Sequence, residues 1–267
     1  MHLETVGSPA LWFAFGALVL CVLFADVLLF HREDKVVGFG AALGWTLFWV
    51  SLSLSFGGFV HWRFGGEKAL EYLAGYLVEQ SLSVDNLFVF LVVFKSFALP
   101  RALEHRVLYW GILGALVLRL ACILAGAALI QAFDWIFYVF GAILLFTGVR
   151  LLFEQDEDPH PEKHPVLRLL RRFIPTVGAY HGNRFFIEEA GKRFATPLFI
   201  VLLTIEMTDV VFAVDSIPAV FGVTRDPFIV YTSNIFAILG LRSLYFLLAG
   251  AMDRLHYLKY GLALVLL

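Results

Sequence analysis

Apolar residues in this chain come in long unbroken runs, not in the alternation of a half-buried strand or the single stripe of a surface helix. The runs predict helices over roughly 9–30, 37–60, 70–94, 107–130, 133–153, 197–221 and 228–251. Each is about the 20 residues that a helix needs to cross a ~30 Å hydrocarbon core. An eighth apolar run starts at Tyr257 and reaches Leu267, too short to span, so the chain is expected to continue in the full protein. The pattern therefore predicts an all-α polytopic transmembrane bundle of seven to eight spans, forming one membrane domain over 1–267. Its one sizeable soluble segment is 154–196.

Composition agrees. The chain has 267 residues, 60% of them hydrophobic and 16% charged, which excludes an ordinary soluble domain or a nucleic-acid binder. The first run has no basic leader and no small-residue cleavage site, so it reads as a span and not as a signal peptide. Cys21 and Cys122 both lie in apolar runs, which implies neither a disulfide framework nor a thiol metal knuckle. Glycines scattered through the spans, Gly111, Gly114 and Gly126 among them, suit close helix packing. With the N-terminus outside, the inner loops carry fifteen Lys and Arg and the outer loops three. By the positive-inside rule the lipid bilayer then holds the 154–196 loop on the cytoplasmic side.

That loop opens with EQDEDPHPEKHP (Glu154–Pro165). Its Asp156, Asp158, His160 and His164 could hold a metal weakly, but a charged, Pro-bearing block reads first as a solvated linker. Arg168, Arg171 and Arg172 suit lipid headgroups.

The chemistry is concentrated inside the spans. TIEMTDVVFAVDSIP (Thr204–Pro218) puts Glu206, Asp209 and Asp215 at bilayer depth, where a carboxylate is costly unless protonated, paired, hydrated or bound to a cation. A related segment, VEQSLSVDNLFVF (Val78–Phe90), aligns with TDVVFAVDSIPAV (Thr208–Val220). Glu79 then falls on Asp209, Asp85 on Asp215, and Asn86 on Ser216. The following spans match loosely, Leu118-Arg119 over Leu241-Arg242, and YVFGAILL (Tyr138–Leu145) resembles KYGLALVLL (Lys259–Leu267). A repeat of three spans crosses the membrane in opposite directions in its two copies. This is the inverted-repeat design of secondary transporters, with the substrate site between the copies.

Glu206 and Asp209 share a helix face. Asp215 falls on the opposite side of an ideal helix, and Pro218, which cannot donate to the carbonyl of Val214, is expected to kink or break the span; a break would let Asp215 turn inward. The expected ion site is Glu79, Asp85, Glu206, Asp209 and Asp215, completed by Asn86 or Ser216, carbonyls or water. Such an all-oxygen set suits Mn²⁺, Ca²⁺ or Mg²⁺. Arg119 and Arg242 are expected to face the interior and neutralise the acids when the ion is absent. Asp26, near the end of the first span, is either a gate or a helix-end contact, and Asn234 reads as an interhelical hydrogen bond more than as a ligand. Ser51, Ser53 and Ser55 read as packing.

Four segments together resemble the TerC family of integral membrane proteins: LFADVLLFHR (Leu23–Arg32), LVEQSLSVDNLFVF (Leu77–Phe90), HRVLYWGILGALVLR (His105–Arg119) and the long run Thr204–Leu248. The resemblance covers nearly all of the chain. It implies a bacterial inner-membrane protein of manganese efflux and homeostasis, with a historical link to tellurite resistance, and it maps the family's acidic motif onto Glu79, Asp85, Glu206, Asp209 and Asp215. Mn²⁺, or Ca²⁺, would then be cargo and not a prosthetic group. Three functions compete: a cation exporter exchanging protons for metal, a membrane partner of the secretion machinery that supplies metal to exported metalloproteins, and an intramembrane hydrolase. Five acids exceed what a hydrolase needs, so a transporter is expected and not an enzyme.

Overall fold

The computed structural model describes residues 5–30, 38–133, 135–153, 175–189 and 191–251; the side chains of residues 25–30, 85, 144, 146–153, 215 and 251 lie outside the described set. The sequence-stretch expectations for the side chains of Asp26, Asp85 and Asp215, for the 154–174 segment and for the run from Tyr257 therefore fall beyond it.

The order is α1 (Pro9–Phe30), α2 (Phe39–Phe64), α3 (Gly66–Ser96), α4 (Arg101–Ala132), α5 (Ile136–Phe153), β1 (Phe186–Glu189), β2 (Lys192–Ala195), α6 (Pro197–Val223) and α7 (Pro227–Ala251). The protein is an all-α membrane bundle. Among the described residues five helices, α2, α3, α4, α6 and α7, are long and apolar enough to cross a bilayer. Helices are what these runs must form, because the hydrocarbon core offers no partner to an unpaired backbone group. Hydroxyls within the spans follow the same logic by bonding their own helix: Thr46 to the Ala42 carbonyl, Ser81 to Leu77, Thr204 to Ile200, Thr208 to Thr204 and Thr232 to Phe228.

α7 is the axis of the bundle. Of its apolar window 78% is buried, against 17% for α2. This fits its polar side chains: Thr232, Ser233, Asn234, Arg242 and Ser243 are all buried, away from lipid. α2, α3 and α4 surround α7, and α6 packs on α3, α4 and α5. One apolar core gathers Phe15, Trp49, Tyr72, Phe94, Phe228 and Phe236; a second, between α4, α5 and α6, holds Ile123, Ile217 and Phe221. Phe13, Val117 and Tyr138 stand out from the bundle, as side chains facing lipid do.

Two findings depart from the expectations. α6 runs as one continuous helix through the buried Pro218 and does not break there. Proline removes one backbone bond, and a membrane helix tolerates that loss when neighbouring helices hold it. Ser216 and Ile217 are also buried beside it. Within the expected 154–196 loop, residues 186–189 and 192–195 pair as antiparallel strands, with Glu189 opposite Lys192 and Gly191 at φ 72°.

The hairpin marks one end of the bundle. Tyr180 donates to the Phe97 carbonyl at 2.8 Å, Arg106 lies over the Phe185 ring at 5.1 Å, and Thr196 donates to the Phe185 carbonyl. At the other end, Thr224 donates to Glu71, and the Thr5 hydroxyl and Val6 amide both reach Asp226 at 2.8 Å. α3 thus begins where α6 finishes, and the two run antiparallel. In the expected repeat α3 and α6 are the leading helices of the two copies; the run expected to end the second copy lies outside the described residues.

Candidate functional site

Burial on α3 recurs at Tyr72, Tyr76, Glu79, Ser83, Asn86, Phe90 and Val93, a spacing of three and four that turns one face to the bundle. The same face therefore carries aromatic residues at its ends and polar ones in its middle. Glu79 on α3, Arg119 on α4 and Asp209 on α6 each lie some thirteen residues, or about 20 Å, from the helix end on the Asp226 side. They meet at one depth.

Arg119 is the hub, with 0% of its surface exposed. Its Nη1 donates to Glu79 Oε1, to Ser216 Oγ at 3.0 Å and to Asn234 Oδ1 at 3.2 Å. Its Nε and Nη2 take the two oxygens of Asp209 at 3.4 and 3.2 Å, the forked pairing that a guanidinium makes with a carboxylate. Asn234 closes the ring by donating from Nδ2 to Glu79 Oε2 at 2.8 Å. Four helices thus contribute one polar cluster in which both oxygens of each acid are engaged. Unpaired, either carboxylate would be strongly destabilising at this depth.

On the hairpin side of Arg119 is a small cavity of about 20 Å³, walled by Phe90, Gly111, Leu241, Arg242, Glu206 and Asp209. Asp209 therefore belongs to both the cluster and the cavity wall. Glu206, one turn away, makes no hydrogen bond or ion pair with a described residue. Its carboxylate rests on the backbone of Gly114, where a Cβ would overlap the carboxyl oxygens. The glycine is there for the acid.

The structure brings together Glu79, Arg119, Asp209, Ser216 and Asn234, and sets Glu206 and Arg242 around the adjoining cavity. Asn86 is buried on the α3 face. Among the described residues no three of His, Cys, Asp or Glu converge, because the guanidinium stands between Glu79 and Asp209. Sequence reasoning missed two features. Ser83, fully buried one turn beyond Glu79, was passed over in favour of the acids, and Gly114 was read as general helix packing.

Comparison with known proteins decides the family. The profile of the integral membrane protein TerC family matches residues 64–267. This chain belongs to the TerC family. It is 52% identical to an uncharacterized membrane protein of Myxococcus xanthus over 98% of this chain and 82% of that one. A protein of Escherichia coli strain K12, provisionally named the membrane-bound redox modulator Alx, is 46% identical over 99% of this chain and 85% of its own length. An uncharacterized membrane protein of Rickettsia bellii is 38% identical over 96% and 85%. No solved structure matches at a significant level. The TerC profile includes every helix of the Arg119 cluster.

Proposed function

We propose that this TerC-family chain is a divalent-cation transporter of the bacterial inner membrane, exporting Mn²⁺, with Ca²⁺ the alternative cargo. The observation that carries the reading is the fully buried Arg119 holding acids from two other helices at mid-membrane, beside a cavity walled by Glu206. A bundle that needs only stability gains little from such a group, since a well-packed apolar cluster would serve as well or better. Ionisable groups at this depth belong to ion pathways as a rule.

The donor set is oxygen throughout: Glu79, Asp209, Glu206, Ser216 and Asn234, with Asp85, Asn86 and Asp215 in the same helices. Hard divalent cations prefer such a set. The balance of Lys and Arg supports a cytoplasmic hairpin end. The cavity then faces the side from which an exported ion arrives. Protons and metal compete for the same carboxylate oxygens, which gives a physical route to exchange of one for the other. The redox name of the relatives finds no dithiol here, for Cys21 on α1 and Cys122 on α4 are free thiols on different helices. Ion transport acting on redox balance indirectly is the simpler reading.

The test is Mn²⁺ flux into proteoliposomes holding the full-length protein and an internal quenchable dye, with and without a pH gradient. Glu206→Gln is the variant of choice, since it breaks no ion pair and should fold like the parent. Gradient-driven flux in the parent and its loss in the variant are expected. Absence of flux in folded, oriented parent protein would overturn the proposal.

A further inference from the structure

A hydroxyl inside a membrane span has an easy partner, the carbonyl one turn back in its own helix. Eight described hydroxyls take this or the neighbouring carbonyl, including Ser81, which donates to the Leu77 carbonyl at 2.8 Å, two residues before Ser83. Ser83 does not. Its Oγ is fully buried and has no hydrogen-bond partner, and among described side chains only Arg106 Nε shares that condition. Buried polar atoms are so regularly satisfied that an orphan calls for an explanation.

Its position supplies one. Ser83 follows Glu79 by four residues and precedes Asn86 by three on the inward face of α3, and Phe90, the next position of that face, lines the Glu206 cavity. Read from the cavity inward, α3 offers Phe90, Asn86, Ser83 and Glu79 at a rise of about 6 Å per turn or less. Across from it α6 offers Glu206 and then Asp209. Along α3, Ser83 is thus an idle neutral oxygen between Phe90 of the cavity wall and Glu79 of the Arg119 cluster. Neutral hydroxyl and amide oxygens commonly fill out carboxylate sites for hard cations, whose coordination numbers exceed what two acids provide.

We propose that Ser83 is a ligand of the transported cation, its hydroxyl left unpartnered in the ion-free protein because the ion is its partner. The ion reaches Ser83 and Asn86 from the cavity, takes oxygens of Asp209 and Glu79 in place of the guanidinium, and is held by charged and neutral oxygens together. This rests on the cation-transport reading above, and the experiment separates the two.

Purified protein is titrated with Mn²⁺, and the free ion is counted by its solution electron paramagnetic resonance signal. Ser83→Ala removes an unsatisfied group, so thermal unfolding in detergent should come at or above the parent temperature. Its Mn²⁺ affinity should fall about tenfold or more, a loss seen even when an outer partner of a metal site is removed. Ser83→Cys provides an independent reading. Cd²⁺ should give an ultraviolet thiolate charge-transfer band above the background of Cys21 and Cys122 in the parent, and excess Mn²⁺ should remove it. If the parent binds Mn²⁺ while Ser83→Ala binds it within about twofold and Ser83→Cys shows no added band, the Ser83 assignment is wrong and cation transport stands. If the parent binds no divalent cation, the transport reading itself is overturned, and the Ser83 assignment with it.

Discussion

Asp209 and Asp226 are both acids withdrawn from water, and their partners differ in kind. Among the described residues Asp226, 2% exposed at the start of α7, receives only fixed neutral donors: the Thr5 hydroxyl and the Val6 amide at 2.8 Å and the Phe228 amide at 2.9 Å. It caps a helix and fastens the residues before α1 onto it. Asp209, in mid-span, is held at 3.2 and 3.4 Å by a single cation on a long side chain from another helix. Backbone donors cannot be exchanged without unfolding something. A guanidinium can be traded for another cation. The first arrangement commits an acid to architecture, and the second leaves it available for function.

The comparison breaks most visibly if the cation is removed. Arg119→Ala leaves Glu79 and Asp209 facing each other in the bilayer interior, and the loss of one partner from a buried pair costs about 3–5 kcal/mol. Thermal unfolding in detergent should show a destabilised or unfolded bundle. Arg119→Lys keeps the charge but not the fork that reaches Asp209 twice, and should fall between the two. An alanine variant as stable as the parent would mean that the acids are satisfied without Arg119.

Asp226→Ala should cost less, about 2 kcal/mol for a helix cap and its attached bonds. The contrast predicts more than size: Mn²⁺ flux per folded molecule should be retained, since the Asp226 oxygens are committed to Thr5, Val6 and Phe228 at a helix start. Flux lost with the fold intact would make the Asp226 clasp part of the transport machinery and erase the distinction.

The helices were legible in the sequence because lipid imposes one simple demand, a long apolar run with its backbone bonds satisfied inside it. The acids were legible for the converse reason, as groups that such a run should exclude. Spacing alone could not say that Arg119 would sit between Glu79 and Asp209, because that depends on how α3, α4 and α6 are rotated against one another. The expected break at Pro218 came from treating the helix in isolation, whereas α6, packed on α3, α4 and α5, stays one continuous helix through it. The strand pair 186–189 and 192–195 had a signal, Ala190-Gly191 between two short β-prone runs, but attention in that loop went to its acidic and basic blocks.

The smallest change is also the sharpest probe of why Glu206 and Asp209, one turn apart, behave differently. Asp209 is fixed by Arg119, whereas Glu206 is fixed by shape: its carboxylate occupies the space over Gly114 that a side chain would fill. Gly114→Ala adds one methyl there and should cost about 1–3 kcal/mol if the carboxylate cannot move, or much less if it swings into the cavity. Where it swings, the acid leaves its place, and Mn²⁺ flux should drop while the Arg119 cluster stays intact. Glu206→Asp in the same background shortens the side chain by one methylene and removes the overlap. Flux in Gly114→Ala/Glu206→Asp should therefore recover above that of Gly114→Ala alone, measured in the same proteoliposomes and compared with Glu206→Asp by itself. Recovery would mean that α4 sets the reach of the cavity acid. If the double variant is no better than the glycine variant, Gly114 acts on the packing of α4 against α6 and not on the carboxylate.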